Sequence, residues 1–370
     1  MRATVGTTIV VAAGGTGGHL APAEAVAGAL LDRGAHVLFM TDQRGAVWKS
    51  PVFDETGRII LPGGGIARVG LLGAAKGAAG LMHGMLRARA ILRAERPAAV
   101  IGFGGYPSVP PVLAARLLPS GARPALFAHE QNAVLGRANR LLSRAGARLL
   151  LSFDSTRGVP GRAEAEVVGN PVRRAIADLA RAPYVPPGDD IRLLVLGGSL
   201  GARVFADLLP EALSLLPEAL RARLRLTLQC REEDSQRVAA TLRAAAVAAD
   251  LAPFFTDVAE RVAAAHLVIA RSGASTVAEI ACIGRPALLI PFPFAVDDHQ
   301  AANAAALPGA VVLPQQGLDA ATLATRIGAL LSDPAALSAA AAAAATAGRP
   351  EAAERIADLV HGAAFARRQD

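Results

Sequence analysis

Twice along the chain a run of aliphatic residues ends in a cluster of glycines that opens a helical stretch. The first is 7–12 (TIVVAA) followed by Gly14-Gly15-Thr16-Gly17-Gly18-His19. The second is 191–196 (IRLLVL) followed by Gly197-Gly198-Ser199-Leu200-Gly201-Ala202. Strand, glycines, helix is how an open parallel α/β sheet begins, so two such openings constrain the chain to two sheets. The length of 370 residues agrees, because domains run to about 150 residues each.

Further apolar runs at 36–41, 98–102, 125–129 and 147–152 alternate with helical stretches at 20–32, 75–95, 108–118 and 136–145. The runs are almost continuously apolar, as strands buried on both faces are. Residues 181–190 (RAPYVPPGDD) break the pattern with three prolines, a glycine and two acids, a linker signature. After the second opening, strands are expected at 223–229, 252–255, 266–270, 286–290 and 310–313. Helices are expected at 203–219, 232–249, 275–284 and 298–306. The resulting division is an N-terminal domain over 1–172, a linker over 173–190 and a C-terminal domain over 191–350, with 351–370 packing back on the first domain.

Charge narrows the partners. The formal balance is +7, and residues 1–160 hold 18 Lys and Arg against 8 Asp and Glu, while the remainder holds 20 against 23. The first half therefore carries an anion-facing surface for nucleic acid, acidic lipid or a phosphorylated substrate. Two cysteines, Cys230 and Cys282, make neither a disulfide framework nor a zinc cluster, which points to a reducing compartment. No apolar run reaches the ~18 residues of a spanning helix. A glycine loop stands where a signal peptide would have its cleavage site.

Glycines at the first opening let a phosphate approach the backbone, and the helix N-terminus favours its charge. A P-loop would need Lys-Ser or Lys-Thr after the last glycine, where His19-Leu20 stands. A dinucleotide fingerprint finds Gly15 and Gly17 but Leu20 in the third position, with Asp42 placed as a ribose-binding acid would be. A nicotinamide enzyme therefore stays open at this point, beside a tight turn without a ligand.

Four later blocks are expected at carboxyl ends of strands. Gly102-Phe103-Gly104-Gly105-Tyr106-Pro107-Ser108 reads as a cleft wall or a tight turn. His129-Glu130-Gln131-Asn132 brings four polar side chains suited to sugar hydroxyls or an acetamide. In 271–279 (RSGASTVAE) the amides of a helix start can hold a phosphate, and Glu279 can accept ribose hydroxyls or merely complement the helix dipole. In 291–300 (PFPFAVDDHQ) the contiguous acids and His lack a second ligand cluster, so sugar binding through Gln300 is favoured over a metal. Residues 71–93 place Lys76, Arg87, Arg89 and Arg93 among Leu and Met with no acid. That composition reads as a membrane-surface helix or as a core helix with a solvated Arg face.

The succession GGTGGH, FGGYPSVPP, HEQNAVLGRANR, GNPVR, GGSLGA, RSGASTVAE and PFPFAVDDHQAANA resembles the MurG family over residues 7–305. These are the UDP-N-acetylglucosamine–N-acetylmuramyl-(pentapeptide) pyrophosphoryl-undecaprenol N-acetylglucosamine transferases of peptidoglycan synthesis. The resemblance implies an α/β fold of GT-B type, with two Rossmann-like doubly wound parallel-sheet domains facing a central cleft. It implies inverting transfer of GlcNAc from UDP-GlcNAc to the C4 hydroxyl of MurNAc in lipid I, giving lipid II and UDP, with no cofactor and no metal. It further implies a peripheral location on the cytoplasmic face of the bacterial plasma membrane, an anionic membrane surface and other cell-wall synthesis proteins as partners, and no nucleic acid.

Carried over by position, Thr16, Gly17, Gly18, Asn132, Arg173, Ser199, Phe255, Ala274, Ser275, Thr276, Val277, Ala278, Glu279 and Gln300 line the UDP-GlcNAc site. Phe255 would meet uracil through its backbone, Glu279 the ribose and Arg173 a phosphate. Leu200 stands where many members carry Gln, and its side chain supplies no hydrogen bond there. Tyr106 and Glu130 are expected on the acceptor side. His19 is the candidate general base, or else the group that orients the acceptor diphosphate.

Overall fold

The computed structural model describes residues 7–62, 70–198 and 202–366. The chain divides into two compact units, Met1–Arg173 with Glu351–Asp370, and Arg174–Pro350.

Among the described residues the first unit holds seven strands: β1 (Thr8–Ala12), β2 (His36–Thr41), β3 (Gly57–Ile60), β4 (Ala99–Gly102), β5 (Ala125–Glu130), β6 (Arg148–Leu151) and β7 (Ala165–Val167). They form one parallel sheet in the order β3-β2-β1-β4-β5-β6-β7. β1 is buried along its whole length. Its Ile9 and Val11 pack with Ala23, Val26 and Leu30 of the helix Gly17–Asp32 and with Ile356 and Val360 of the helix Ala352–Ala366. Val10 and Ala12 turn to the other face, against Leu92 and Val112 of the helices Gly70–Glu95 and Gly105–Arg116. A strand with core on both sides must be apolar at every position, which is why these runs do not alternate.

The second unit repeats the plan. Its strands are β8 (Ile191–Leu196), β9 (Leu224–Gln229), β10 (Ala248–Ala252), β11 (Leu267–Ala270), β12 (Ala287–Leu289) and β13 (Val311–Val312). They are parallel, in the order β10-β9-β8-β11-β12-β13. In each unit the order reverses beside the first strand, between β1 and β4 and between β8 and β11. Ligands of doubly wound sheets bind at that reversal, beyond the carboxyl ends of the strands.

The structure departs from the sequence reading at several points. β3 and β7 went unread because they are short edge strands with partly exposed side chains. The helix expected over 232–249 ends at Ala244, Ala246 takes φ 55°, and 248–252 pairs with β9. The ladder captures an Ala-rich segment that propensity assigns to helix, and the strand expected at 252–255 shifts upstream with it. The helix expected over 203–219 stops at Ser214, and a separate short helix begins at Glu218 behind Pro217.

The expected linker over 173–190 is not a loose tether. Arg285, 2% exposed, donates to the carbonyls of Ala182 and Pro183 as well as Ala263, Ile283 and Gly284. The Tyr184 hydroxyl donates to His266 O at 2.9 Å. A buried guanidinium must be satisfied, and the prolines present carbonyls without competing amide donors. This segment is thereby fastened to the second unit.

The last helix closes the first unit. Arg33, at the end of helix Gly17–Asp32, donates to Glu354 at 2.6 Å and to Asp358 at 2.7 and 2.9 Å. Below that exposed clamp Ile356, Ala357, Val360 and Ala364 are fully buried. Truncating Ile356 to Ala removes three buried carbons from a packed interface. Chemical denaturation should show stability lowered by about 2–5 kcal/mol with the denaturant slope unchanged.

Candidate active site

In the first unit the site is built at the carboxyl edge from the loops after β1, β2, β4 and β5. The first glycine loop is held by its neighbour strand. Asp42, just past β2, accepts from the Gly15 amide at 3.3 Å, from the Gly45 amide at 2.9 Å and from Arg44 Nε at 3.2 Å. A Cβ on Gly14 would lie 2.7 Å from both Asp42 Oδ1 and Pro107 Cγ, so only glycine fits there. Asp42 is 6% exposed. Its carboxylate organises the loop and does not await a ribose, which removes the feature that favoured a nicotinamide cofactor.

Thr16 is the N-cap of the helix Gly17–Asp32, yet its hydroxyl makes no cap hydrogen bond, and the first turn carries no acid. Thr16 and Gly18 are exposed and Gly17 half-buried. Such a helix start presents amide donors and a positive dipole end to an anion.

His19 lies in the first turn of that helix and meets two other loops. Its Nδ1 lies 3.0 Å from Gln131 Oε1. Gly104, at φ 76°, and Gly105, at φ 68°, bring bare backbone against its ring, where a Cβ would come within 3.3 and 3.4 Å. Gln131 donates from Nε2 to Phe103 O at 3.1 Å and faces His129 Nδ1 at 3.0 Å. His129 is fully buried, with Nε2 3.0 Å from Gly169 O. Burial, outweighing that hydrogen bond, pushes the His129 pKa down to about 4.

Glu130, expected on the acceptor side, is committed to its own loop. It is 2% exposed. One carboxylate oxygen accepts from the Asn132 amide (3.0 Å) and Asn132 Nδ2 (3.2 Å), the other from the Gly136 amide and Asn139 Nδ2 (both 2.8 Å). Four donors engage it, so it shapes the 131–139 loop and aims Asn132. Tyr106, in the first turn of its helix, has a buried hydroxyl without a partner, and burial raises its pKa, keeping it a donor. The Asn170 amide is likewise buried with both polar atoms unpartnered. Orphaned polar atoms at a loop edge mark where a ligand or water completes the structure. Arg173 closes the block as a half-buried side chain.

The second unit offers a matching edge. Gln229, the last residue of β9, accepts from the Gly197 amide at 3.1 Å and donates to Pro253 O at 3.2 Å. It ties the second glycine loop to the loop holding Phe255, as Asp42 ties the first. Sequence reasoning missed Gln229, although a polar residue ending the strand beside a glycine-loop strand is the signal Asp42 also gives. Ser199 and Leu200 lie outside the described residues. Phe255 is buried and stacked by the Arg261 guanidinium at 4.2 Å, which fixes the backbone around it.

The helix Ala274–Ile283 begins behind Gly273, which has no side chain to cap it. Ser275 Oγ is buried without a partner in its first turn. Ala274 and Val277 are buried, and Thr276, Ala278 and Glu279 half-buried. Amides and a hydroxyl here suit a phosphate, and Glu279 lies one turn deeper. Gln300 holds the 291–300 loop in place. Its Oε1 accepts from the Phe292 amide at 2.9 Å, and its carbonyl accepts from Ser272 at 2.8 Å, so its side-chain NH2 takes no part in that hold. Asp297, Asp298 and His299 form no metal cluster: among the described residues no group of three His, Cys, Asp or Glu side chains could hold an ion.

On helix Gly70–Glu95, Met82, His83, Leu86, Arg87 and Arg93 are exposed. At 100° per residue they fall within one face. Arg89 departs from the expected exposed row: it is half-buried with its Nε shielded from solvent. The Lys76 side chain lies outside the described residues. Among those described, no single helix is long and apolar enough to cross a membrane. The pair Ala320–Leu331 and Pro334–Thr346 qualifies only across a 90° bend, and its Leu323, Ile327, Leu331 and Leu337 belong to the second unit's core.

The buried neutral His129 makes stability depend on pH. Its folded pKa lies below the ordinary 6.5, so the unfolded chain binds the proton first as pH falls. Stability should be lost progressively from about pH 6.5 to about 4, approaching 3 kcal/mol at 1.36 kcal/mol per unit. Denaturation midpoints across that range, compared with His129→Asn, check it: the variant should lose this part of the slope.

Comparison with known proteins places these features in a family. The description "Glycosyltransferase family 28 N-terminal domain" matches residues 9–150, and "Glycosyltransferase family 28 C-terminal domain" matches 192–356. A protein of Granulibacter bethesdensis is 53% identical over 357 residues, covering 95% of this chain and 92% of the relative. One of Acidiphilium cryptum is 54% identical over 361 residues, covering 97% and 98%. Both are named UDP-N-acetylglucosamine–N-acetylmuramyl-(pentapeptide) pyrophosphoryl-undecaprenol N-acetylglucosamine transferase. The crystal structure of Acinetobacter baumannii MurG superposes with a TM-score of 0.78 at 28% identity, over 96% of this chain and 99% of that one.

Proposed function

This chain belongs to glycosyltransferase family 28, in its MurG branch, and from that membership we propose its function. It transfers GlcNAc from UDP-GlcNAc to the C4 hydroxyl of MurNAc in lipid I, forming lipid II and UDP. The near-full-length identity to the named transferases carries this reading, and the two glycine-loop edges of GT-B type sheets support it.

The roles of individual residues are our assignment. The reaction is a single inverting displacement: the bond from the acceptor O4 to C1 of GlcNAc forms as the bond from C1 to the UDP oxygen breaks. The acceptor proton passes to His19, and the electron pair leaves with the β-phosphate. We assign the donor diphosphate to Arg173 and to amides and hydroxyls at 274–276, with Ser199 in the same role. Glu279 takes the ribose and the backbone at Phe255 the uracil. Thr16, Gly17, Gly18, Asn132 and the Gln300 amide take sugar and phosphate oxygens, and Tyr106 donates toward the acceptor. Amide dipoles and a guanidinium stabilise the leaving group in this scheme, so no cofactor or metal is invoked.

UDP release from UDP-GlcNAc with a lipid I analogue tests the reading. Turnover is expected from the native chain, and His19→Ala should lower kcat by about 10²–10⁴-fold, the usual contribution of a general base. Near-native turnover in that variant would overturn the base assignment, and absence of UDP release from the native chain would overturn the activity. UDP should raise the melting temperature and NAD should not.

The exposed face of helix Gly70–Glu95 suits a peripheral position at the cytoplasmic face of the plasma membrane, where the lipid-linked acceptor resides. Arg87 and Arg93 share that face with the exposed Met82 and Leu86, and each basic group near an anionic bilayer contributes about 1 kcal/mol. Binding to anionic vesicles should weaken as salt rises and fall when the exposed Arg87 and Arg93 are replaced by Ala. Unchanged binding in sedimentation would sink the idea.

A further inference from the structure

A chain of hydrogen bonds beneath the first glycine loop determines where His19 carries its proton. It starts at Gly169, whose carbonyl can only accept, so the His129 nitrogen 3.0 Å away, Nε2, is the protonated one. His129 is fully buried and neutral, so its Nδ1 bears a lone pair. The Gln131 side-chain nitrogen lies 3.0 Å from that lone pair, 3.1 Å from Phe103 O and 3.3 Å from His129 O. Three acceptors surround it, which fixes the amide orientation with the NH2 inward. Gln131 is itself 1% exposed. Its Oε1 is therefore the end that meets His19 Nδ1 at 3.0 Å, and an oxygen there requires Nδ1–H.

We infer that Gln131, locked by His129 and Gly169, is a positioning residue that holds neutral His19 in the Nδ1–H tautomer and makes Nε2 its proton-accepting nitrogen. This rests on the reading of His19 as the base and deepens it. An isolated imidazole side chain in water favours the opposite tautomer, with the proton on Nε2, so the network works against the intrinsic preference. It also fixes the ring plane, together with the bare backbone of Gly104 and Gly105. Orientation and tautomer by a buried partner are what a histidine base requires, and an amide oxygen supplies both without adding a charge.

The test is a nitrogen NMR spectrum of the full chain labelled with [15N]histidine, recorded where His19 is neutral and assigned by comparison with His19→Ala. The expected result is a protonated Nδ1 and an unprotonated Nε2 at His19. A proton on Nε2 in the native chain overturns the inference, and this measurement needs no further variant to fold. Gln131→Met keeps the volume and removes the acceptor. It should shift His19 toward the Nε2–H form and lower kcat by about 10²-fold or more, with KM for UDP-GlcNAc held within about twofold. An unchanged tautomer in that variant also overturns the inference. Should the tautomer be as stated while His19→Ala keeps its turnover, the base assignment fails and the tautomer-setting role of Gln131 stands.

Discussion

The central strands of each sheet are buried on both faces, and that constraint decides where chemistry can be placed. β1 and β8 lie centrally, with every residue of β1 in the core. No side chain on such a strand can serve a ligand. Polar groups are confined to the turns beyond the carboxyl ends, where helices begin and amides lack partners. The glycine loops must in turn be held still, and in both units the neighbouring strand does it. Asp42 beyond β2 grips Gly15, and Gln229 at the end of β9 grips Gly197. One is a carboxylate and the other an amide, yet each stands at the same place in its sheet.

The polar network under the first loop follows the same logic. Four consecutive residues, His129 to Asn132, leave β5 at the edge, and three of them spend their hydrogen bonds inside the protein. His129 fixes Gln131, Glu130 fixes Asn132 and the turn through Asn139, and Gln131 reaches His19. Hydrogen bonds in such a buried network gain from low dielectric, and the network loses heavily when one member is removed. Most of the hydrogen-bonding capacity of this polar block is therefore committed inside the first unit.

Much of the fold was legible because its strands are short, apolar and separated by glycine or proline, and β2 and β8 fall where the pattern put them. What could not be read has physical causes. β10 is made of residues that prefer helix and becomes a strand only through its ladder with β9. The segment after Arg173 reads as a tether because its prolines exclude regular structure. Nothing local reveals that Arg285, a hundred residues away, will bind its carbonyls. At the site, residue types announced themselves but their occupancy did not: Glu130 and Asp42 are acids at the right edge whose oxygens are already committed. Charge behaves alike. Part of the basic excess of the first half is matched by acids from the far end of the chain, since Arg33 pairs with Glu354 and Asp358.

That pairing bears on the order of events during synthesis. The core around β1 needs Ile356, Ala357, Val360 and Ala364 to cover one face, and the ribosome makes these residues after the whole of the second unit. The second unit, continuous in sequence from Arg174 to Pro350, has all its parts first. The unit that begins the chain is therefore the one completed last. Until the final helix emerges, the nascent protein carries an uncovered apolar face beside Ile9 and Val11, a target for chaperones and a period of exposure to aggregation.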